Sequence, residues 1–200
     1  MKIQILGLGN FGSFIARHFL ESGFEVAGWD TAFASGRTSE KVQELEALGC
    51  RACFLLKPDV VVLALFPDQV KAECSRLDAS ALLVNVSSVQ QPGIDALAGI
   101  GRDRILSFHT LFGPNAVKES GWKGKQMIIT MEPKDERAVK ILESFVPREV
   151  EMFRMSVAEH DSAMLPHALA FLMAELVQVG VEGSDTRFLI PSAQIMLSLP

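Results

Sequence analysis

Three groups of residues in this chain have types and spacings that suit chemistry. The first is Gly7-Leu8-Gly9-Asn10-Phe11-Gly12, which follows the apolar run Ile3–Leu6 and precedes a stretch with Phe14, Ile15, Phe19 and Leu20 on one face, with Asp30 closing the next apolar run. A strand, a G-x-G-x-x-G turn, a helix, a second strand and an acid form a dinucleotide-binding fingerprint. Gly7 serves the tight turn, Gly9 lets backbone approach a pyrophosphate, and Gly12 lets the helix pack close to the strand. The N–H groups of the first helical turn, Asn10 and Phe11 among them, then face the phosphates. Asp30 can accept hydrogen bonds from the adenosine ribose hydroxyls and repels a 2′-phosphate, so the expected cofactor is NAD rather than NADP. Arg37, in the Ser/Gly/Thr loop beyond Asp30, is the residue that could reverse this choice.

The second group is Asn85-Val86-Ser87-Ser88-Val89, paired hydroxyls at the end of an apolar run. The third is Phe108-His109-Thr110-Leu111-Phe112-Gly113-Pro114, a histidine at the end of another. In open α/β sheets ligands bind outside the carboxyl ends of the strands. The loops after Leu65, Val86 and Phe108 are therefore expected to form the site, with Leu65, Phe66 and Ser87 beside the cofactor.

The elements that must position these groups follow from hydrophobic patterning. Strands are expected at 2–6, 24–29, 60–65, 81–86, 104–108, 126–131 and 149–153. Helices are expected at 11–21, 39–48 and 133–145, with Pro67 opening another. Val60–Leu65 is a continuous β-branched and aliphatic run, as in a central parallel strand buried on both faces. The expected architecture is a Rossmann-type, doubly wound parallel α/β domain over residues 1–155, followed by a short all-helical segment over 156–200.

Composition narrows the function classes. Hydrophobic residues make up 48% of the 200 residues and charged residues 22%, which suits a packed core, and the net charge of −5 argues against a nucleic-acid partner. Cys50 and Cys53 form a C-x-x-C, but no second cysteine pair or nearby histidine completes a metal set. They are read as small apolar residues around a short strand in a reduced compartment, and no metal site is expected. The apolar segment 164–181 carries Pro166, His167, Glu175 and Gln178, so it reads as a buried helix rather than a membrane span. No signal segment is evident ahead of the first strand, and the expected location is the cytoplasm. His18, on the first helix, is expected at the surface. His160, in Glu159-His160-Asp161, is expected to make a hydrogen bond at a domain junction rather than to bind metal.

These motifs together resemble the prephenate and arogenate dehydrogenases of tyrosine biosynthesis. Val84 to Gln90 is similar to the family's D-V-x-S-V-K segment. His109 to Pro114, with Glu119-Ser120-Gly121-Trp122-Lys123-Gly124, is similar to its H-P-M-F-G-P and G-W segment. Glu159-His160-Asp161 and Leu165-Pro166-His167-Ala168 resemble the start of its helical domain. The resemblance implies hydride transfer from a ring carbon bearing a hydroxyl to NAD(P), with loss of the ring carboxylate as CO2. It implies that His109 accepts the hydroxyl hydrogen and that Ser88 holds the same hydroxyl or orients the imidazole. It further implies that His167 lines the substrate pocket and that Arg187 pairs with a substrate carboxylate. Three positions depart from the family pattern: Asn85 stands for Asp, Gln90 for Lys and Thr110 for Pro. The helical segment is also shorter than the family's, and a homodimer through the C-terminal helices is expected. The alternatives are another Rossmann-fold NAD(P)-dependent reductase and a catalytically silent NAD-binding regulatory protein.

Overall fold

In the computed structural model the described residues are 1–30, 40–73, 76–78 and 80–164. They build an eight-stranded sheet in the order β3-β2-β1-β4-β5-β6-β7-β8. The strands are β1 Lys2–Leu6, β2 Glu25–Trp29, β3 Arg51–Ala52, β4 Val60–Leu63, β5 Leu82–Asn85, β6 Ile105–Thr110, β7 Gln126–Met131 and β8 Glu151–Arg154. The helices are α1 Asn10–Glu21, α2 Glu40–Ala47, α3 Pro67–Glu73, α4 Gln90–Leu97, α5 Pro114–Ser120 and α6 Glu136–Phe145. A further helix, α7, begins at 157 and is described through 164. The chain divides into two units between Val157 and Ala158.

β1 to β6 pair in parallel, with the order reversing between β1 and β4. That reversal is the switch point at which α/β sheets bind ligands. β4 and β5 are buried along their whole length, as their uninterrupted Val and Leu runs require for strands covered on both faces.

The sheet departs from the all-parallel expectation at β7, which pairs antiparallel to β6. The connection explains it. The N–H of Leu111, one residue past β6, donates to the Gln126 carbonyl at the start of β7 at 2.9 Å. The chain thus re-enters the sheet at the edge it has just left. α5 makes no crossover: the Trp122 ring that follows it lies 5.8 Å from Phe14 on α1. β8 then pairs parallel to β7 after α6.

One core layer lies between the sheet and helices α1, α2 and α6, around Ile3, Ile5, Phe19, Val62, Phe108 and Phe145. A smaller layer on the opposite face holds Leu6, Val61, Leu63, Leu83, Leu97 and Ile105. α6 is capped by Asp135, which accepts from the Arg137 backbone N–H at 2.8 Å. The Arg137 guanidinium also donates to the carbonyls of Asp59 and Ser80, at 2.9 Å each, and so ties α6 to the loops entering β4 and β5.

His18 is half-buried rather than free at the surface. Its ring lies 6.0 Å from that of Phe14, 5.1 Å from Trp122 and 5.9 Å from Phe145. Burial pushes its pKa below the usual histidine value, against a smaller opposite pull from Glu21. No helix among the described residues is long and apolar enough to cross a membrane.

Candidate active site

The glycine turn has the geometry its spacing implies. Gly7 sits at φ +87°, and a Cβ there would overlap the Ala64 carbonyl at the end of β4. A Cβ at Gly12 would overlap the Gly7 carbonyl, so both positions require glycine on steric grounds. Around Gly9 the space a Cβ would take is open, which leaves room for a ligand to approach the backbone. Gly9 is the N-cap of α1; no side chain caps that end and no acidic residue lies in the first turn. Such an end favours anionic groups. The turn is pinned from three sides: the Gly7 N–H donates to the Trp29 carbonyl at 2.8 Å, the Ser13 hydroxyl to the Leu8 carbonyl at 2.7 Å, and the Leu8 N–H to Asp30 Oδ2 at 2.8 Å.

The other positions expected beside a cofactor lie along the same carboxyl edge. Leu65 is half-buried and adjoins Gly7. Phe66 is 74% exposed just beyond β4. Asn10 is exposed, whereas the Phe11 ring turns inward and lies 6.1 Å from Phe14. Phe11 is therefore available to a phosphate only through its backbone. The residues fit a dinucleotide: a glycine cradle, an uncapped helix end and an acid after β2.

Beyond β5, Ser87 is half-buried and its hydroxyl donates to Asn85 Oδ1; Ser88 follows and is exposed. His109 is half-buried near the end of β6, opposite Ile128 of β7. Thr110, where the family pattern has proline, donates from its hydroxyl to the Phe112 carbonyl at 3.0 Å. A hydrogen bond thus closes the turn that a proline ring would stiffen. His167, Arg187 and Arg37 lie outside the described residues, as does the apolar helix expected after 164. His160 Nδ1 lies 2.9 Å from Asp161 Oδ1. No group of three or more metal-ligating side chains occurs among the described residues.

Sequence reasoning missed a polar cluster beneath these loops. Asn85, Gln90 and Ser107 are each 0% exposed, and Asn85 and Ser107 are register partners across β5 and β6. The local signals were a serine inside the apolar run Ile105–Phe108 and the departures from the family pattern at Asn85 and Gln90.

Residues 2–89 match the family model described as NADP oxidoreductase coenzyme F420-dependent. Two arogenate dehydrogenases of Arabidopsis thaliana, chloroplastic enzymes 1 and 2, are each 28% identical over 88% and 92% of this chain. The chain is similar to the prephenate and arogenate dehydrogenases. It spans only 30% and 55% of the lengths of those two relatives. Solved structures agree in fold. Synechocystis arogenate dehydrogenase matches with a TM-score of 0.67 at 18% identity, over 99% of this chain and 78% of its own. Prephenate dehydrogenase from A. aeolicus, in complex with hydroxyphenyl propionate and NAD+, matches at 0.63 and 21% identity, over 96% and 71%. A reductive aminase from Aspergillus terreus in complex with NADPH also matches at 0.63, with 16% identity over 90% and 65%. An NAD(P)-dependent oxidoreductase domain is therefore present, and its glycine turn and Asp30 fall inside the matched segment. Ser88 also falls inside that segment, and the likeness to the arogenate dehydrogenases extends past it, through His109.

Proposed function

We propose that this chain catalyses NAD-dependent oxidative decarboxylation of prephenate or arogenate, giving 4-hydroxyphenylpyruvate or tyrosine. The observation that carries the reading is the convergence of the Ser87-Ser88 turn and the His109 strand on one buried amide, Gln90, at the sheet edge that also holds the glycine turn. A bound nicotinamide supplies the hydride acceptor. Neutral His109 accepts the proton of the substrate ring hydroxyl as the carbonyl forms. Ser88 holds the same oxygen. Loss of the ring carboxylate as CO2 accompanies hydride departure, and aromatisation drives the step. Arg187 and His167 carry the substrate-carboxylate and pocket roles that the resemblance implies. Asp30 supports NAD over NADP.

The decisive experiment follows NADH or NADPH formation with prephenate and arogenate in parallel, each with NAD and NADP. Absence of turnover with both substrates removes the reading. A second reading, reduction of a different small substrate, is favoured by the likeness to the NADPH-bound reductive aminase; it predicts cofactor oxidation with carbonyl or imine substrates. A homodimer through the C-terminal helices also belongs to the proposal. Leu165, Leu169, Leu172, Met173, Leu176 and Val177 would cover more than one face of a helix, which then needs partners on several sides. Light scattering showing only monomer at micromolar concentration would remove it.

A further inference from the structure

Gln90, the first residue of α4, is a wholly buried glutamine whose side chain touches three separate elements. Its Nε2 donates to the Ser87 carbonyl and, at 3.3 Å, to the Phe108 carbonyl. Its Oε1 accepts from the Ser107 hydroxyl and, at 2.6 Å, from the Thr130 hydroxyl. Two donors and two acceptor sites are all used, which is the full capacity of a primary amide. The amide has one orientation. Asn85 Nδ2 donates to Ser107 Oγ at 2.8 Å, so the Ser107 hydrogen is left to point at Gln90. Turning the amide over would set its oxygen against two carbonyl oxygens.

The two carbonyls give the cluster its consequence. Ser88 and His109 are the residues that immediately follow Ser87 and Phe108. The amide therefore clamps the two peptide units from which these side chains spring, and the loop after β5, strands β6 and β7, and α4 meet at it. We infer that Gln90 is a positioning residue: it sets the spacing of Ser88 and His109 through Ser87 and Phe108, without itself touching substrate. The inference rests on the functional reading of Ser88 and His109 given above.

Side-chain chemistry makes the inference testable. Glutamate at this position cannot donate twice. As a carboxylate it sets negative oxygens against the Ser87 and Phe108 carbonyls, and only its protonated form can donate to one of them. Burial and facing carbonyls both raise the pKa of such a carboxyl. The experiment compares wild type, Gln90→Met, Gln90→Glu and, as a packing control on the same helix, Leu97→Ala. The readouts are kcat, KM, NAD affinity, thermal midpoint and the ring signals of His109 by NMR. Gln90→Met is expected to lower kcat by about tenfold or more, as misplaced groups do, with NAD affinity little changed. For Gln90→Glu the ratio of kcat to wild type rises as pH falls. The His109 ring signals move in both Gln90 variants and stay in place in Leu97→Ala.

Gln90→Met retaining more than about half of wild-type kcat would overturn the inference. So would Leu97→Ala reproducing the kcat loss and the ring shifts. If wild type turns over neither substrate, the functional reading fails on its own. The ring signals still decide the positioning role, because unmoved signals in Gln90→Met reject it and moved signals support it.

Discussion

The carboxylate of Asp30 accepts the backbone N–H of Leu8 at 2.8 Å, so the acid after β2 grips the glycine turn in addition to the ribose contact proposed for it. Asp30→Asn keeps an oxygen for Leu8 while removing the charge that repels a 2′-phosphate. It is expected to narrow the preference for NAD over NADP while leaving the turn intact. Asp30→Ala removes the grip too, and is expected to weaken both cofactors by about tenfold or more, the worth of a charge-assisted hydrogen bond. Calorimetric titration of both cofactors against both variants checks this. Equal affinity of wild type for NAD and NADP would mean that Asp30 does not set the choice.

His109→Asn is expected to remove most turnover at nearly unchanged NAD affinity. Loss of general acid–base assistance costs about 10²–10⁴-fold in rate. Steady-state kinetics beside cofactor titration separate the two quantities. A variant that keeps more than about a tenth of wild-type kcat takes His109 out of the proton transfer.

The elements that could be read from the chain were those whose signal is local. β1 and β7 fall where the apolar pattern puts them, at Lys2–Leu6 and Gln126–Met131. The glycine turn was legible because the spacing of its glycines is itself the signal, although only Gly12 answers a steric demand from within the fingerprint, the Gly7 carbonyl; Gly7 answers one from Ala64, and the space at Gly9 is open. The direction of β7 was not, since an apolar run alternates in the same way whether its neighbour is parallel or antiparallel. The environment of His18 was not, because two of the rings against it, Trp122 and Phe145, come from more than a hundred residues away. Gln90 stood out in the sequence only as a replacement for a family lysine. Its work depends on Ser107 and Thr130, which a linear reading does not bring together.

Cys50 and Cys53 flank β3, and Cys50 is buried. Burial, the largest influence, pushes the Cys50 thiol up to about 11. The thiolate is the reactive form, so at about pH 8 only about one Cys50 in a thousand is reactive even when reached. Cys50 is expected to resist alkylation in the folded protein and to react promptly once it is unfolded in denaturant. Peptide mapping after a brief pulse of iodoacetamide reads this directly. Prompt labelling of native Cys50 would reopen a redox role for the C-x-x-C.

The cage around His18 predicts a dependence of stability on pH. Phe14, Trp122 and Phe145 surround the ring, and burial holds its pKa below the ordinary value of 6.5. Unfolding restores the ordinary value, so in the window between the two the unfolded chain binds the extra proton. Stability therefore rises with pH across that window. Well above about pH 6.5 the ring is neutral in both states and the cage costs nothing electrostatically. As pH falls below that value, protonation favours the unfolded chain, until both states are charged and the loss levels off. His18→Phe keeps an aromatic ring of similar volume and removes the titration. The difference in unfolding midpoint between variant and wild type is expected to grow in favour of the variant as pH drops from about 7 to about 5. Taking the difference cancels the contributions of the other histidines, which both proteins share. Parallel curves for the two proteins over that range would show that His18 titrates alike folded and unfolded, and that the cage does not exclude its charged form.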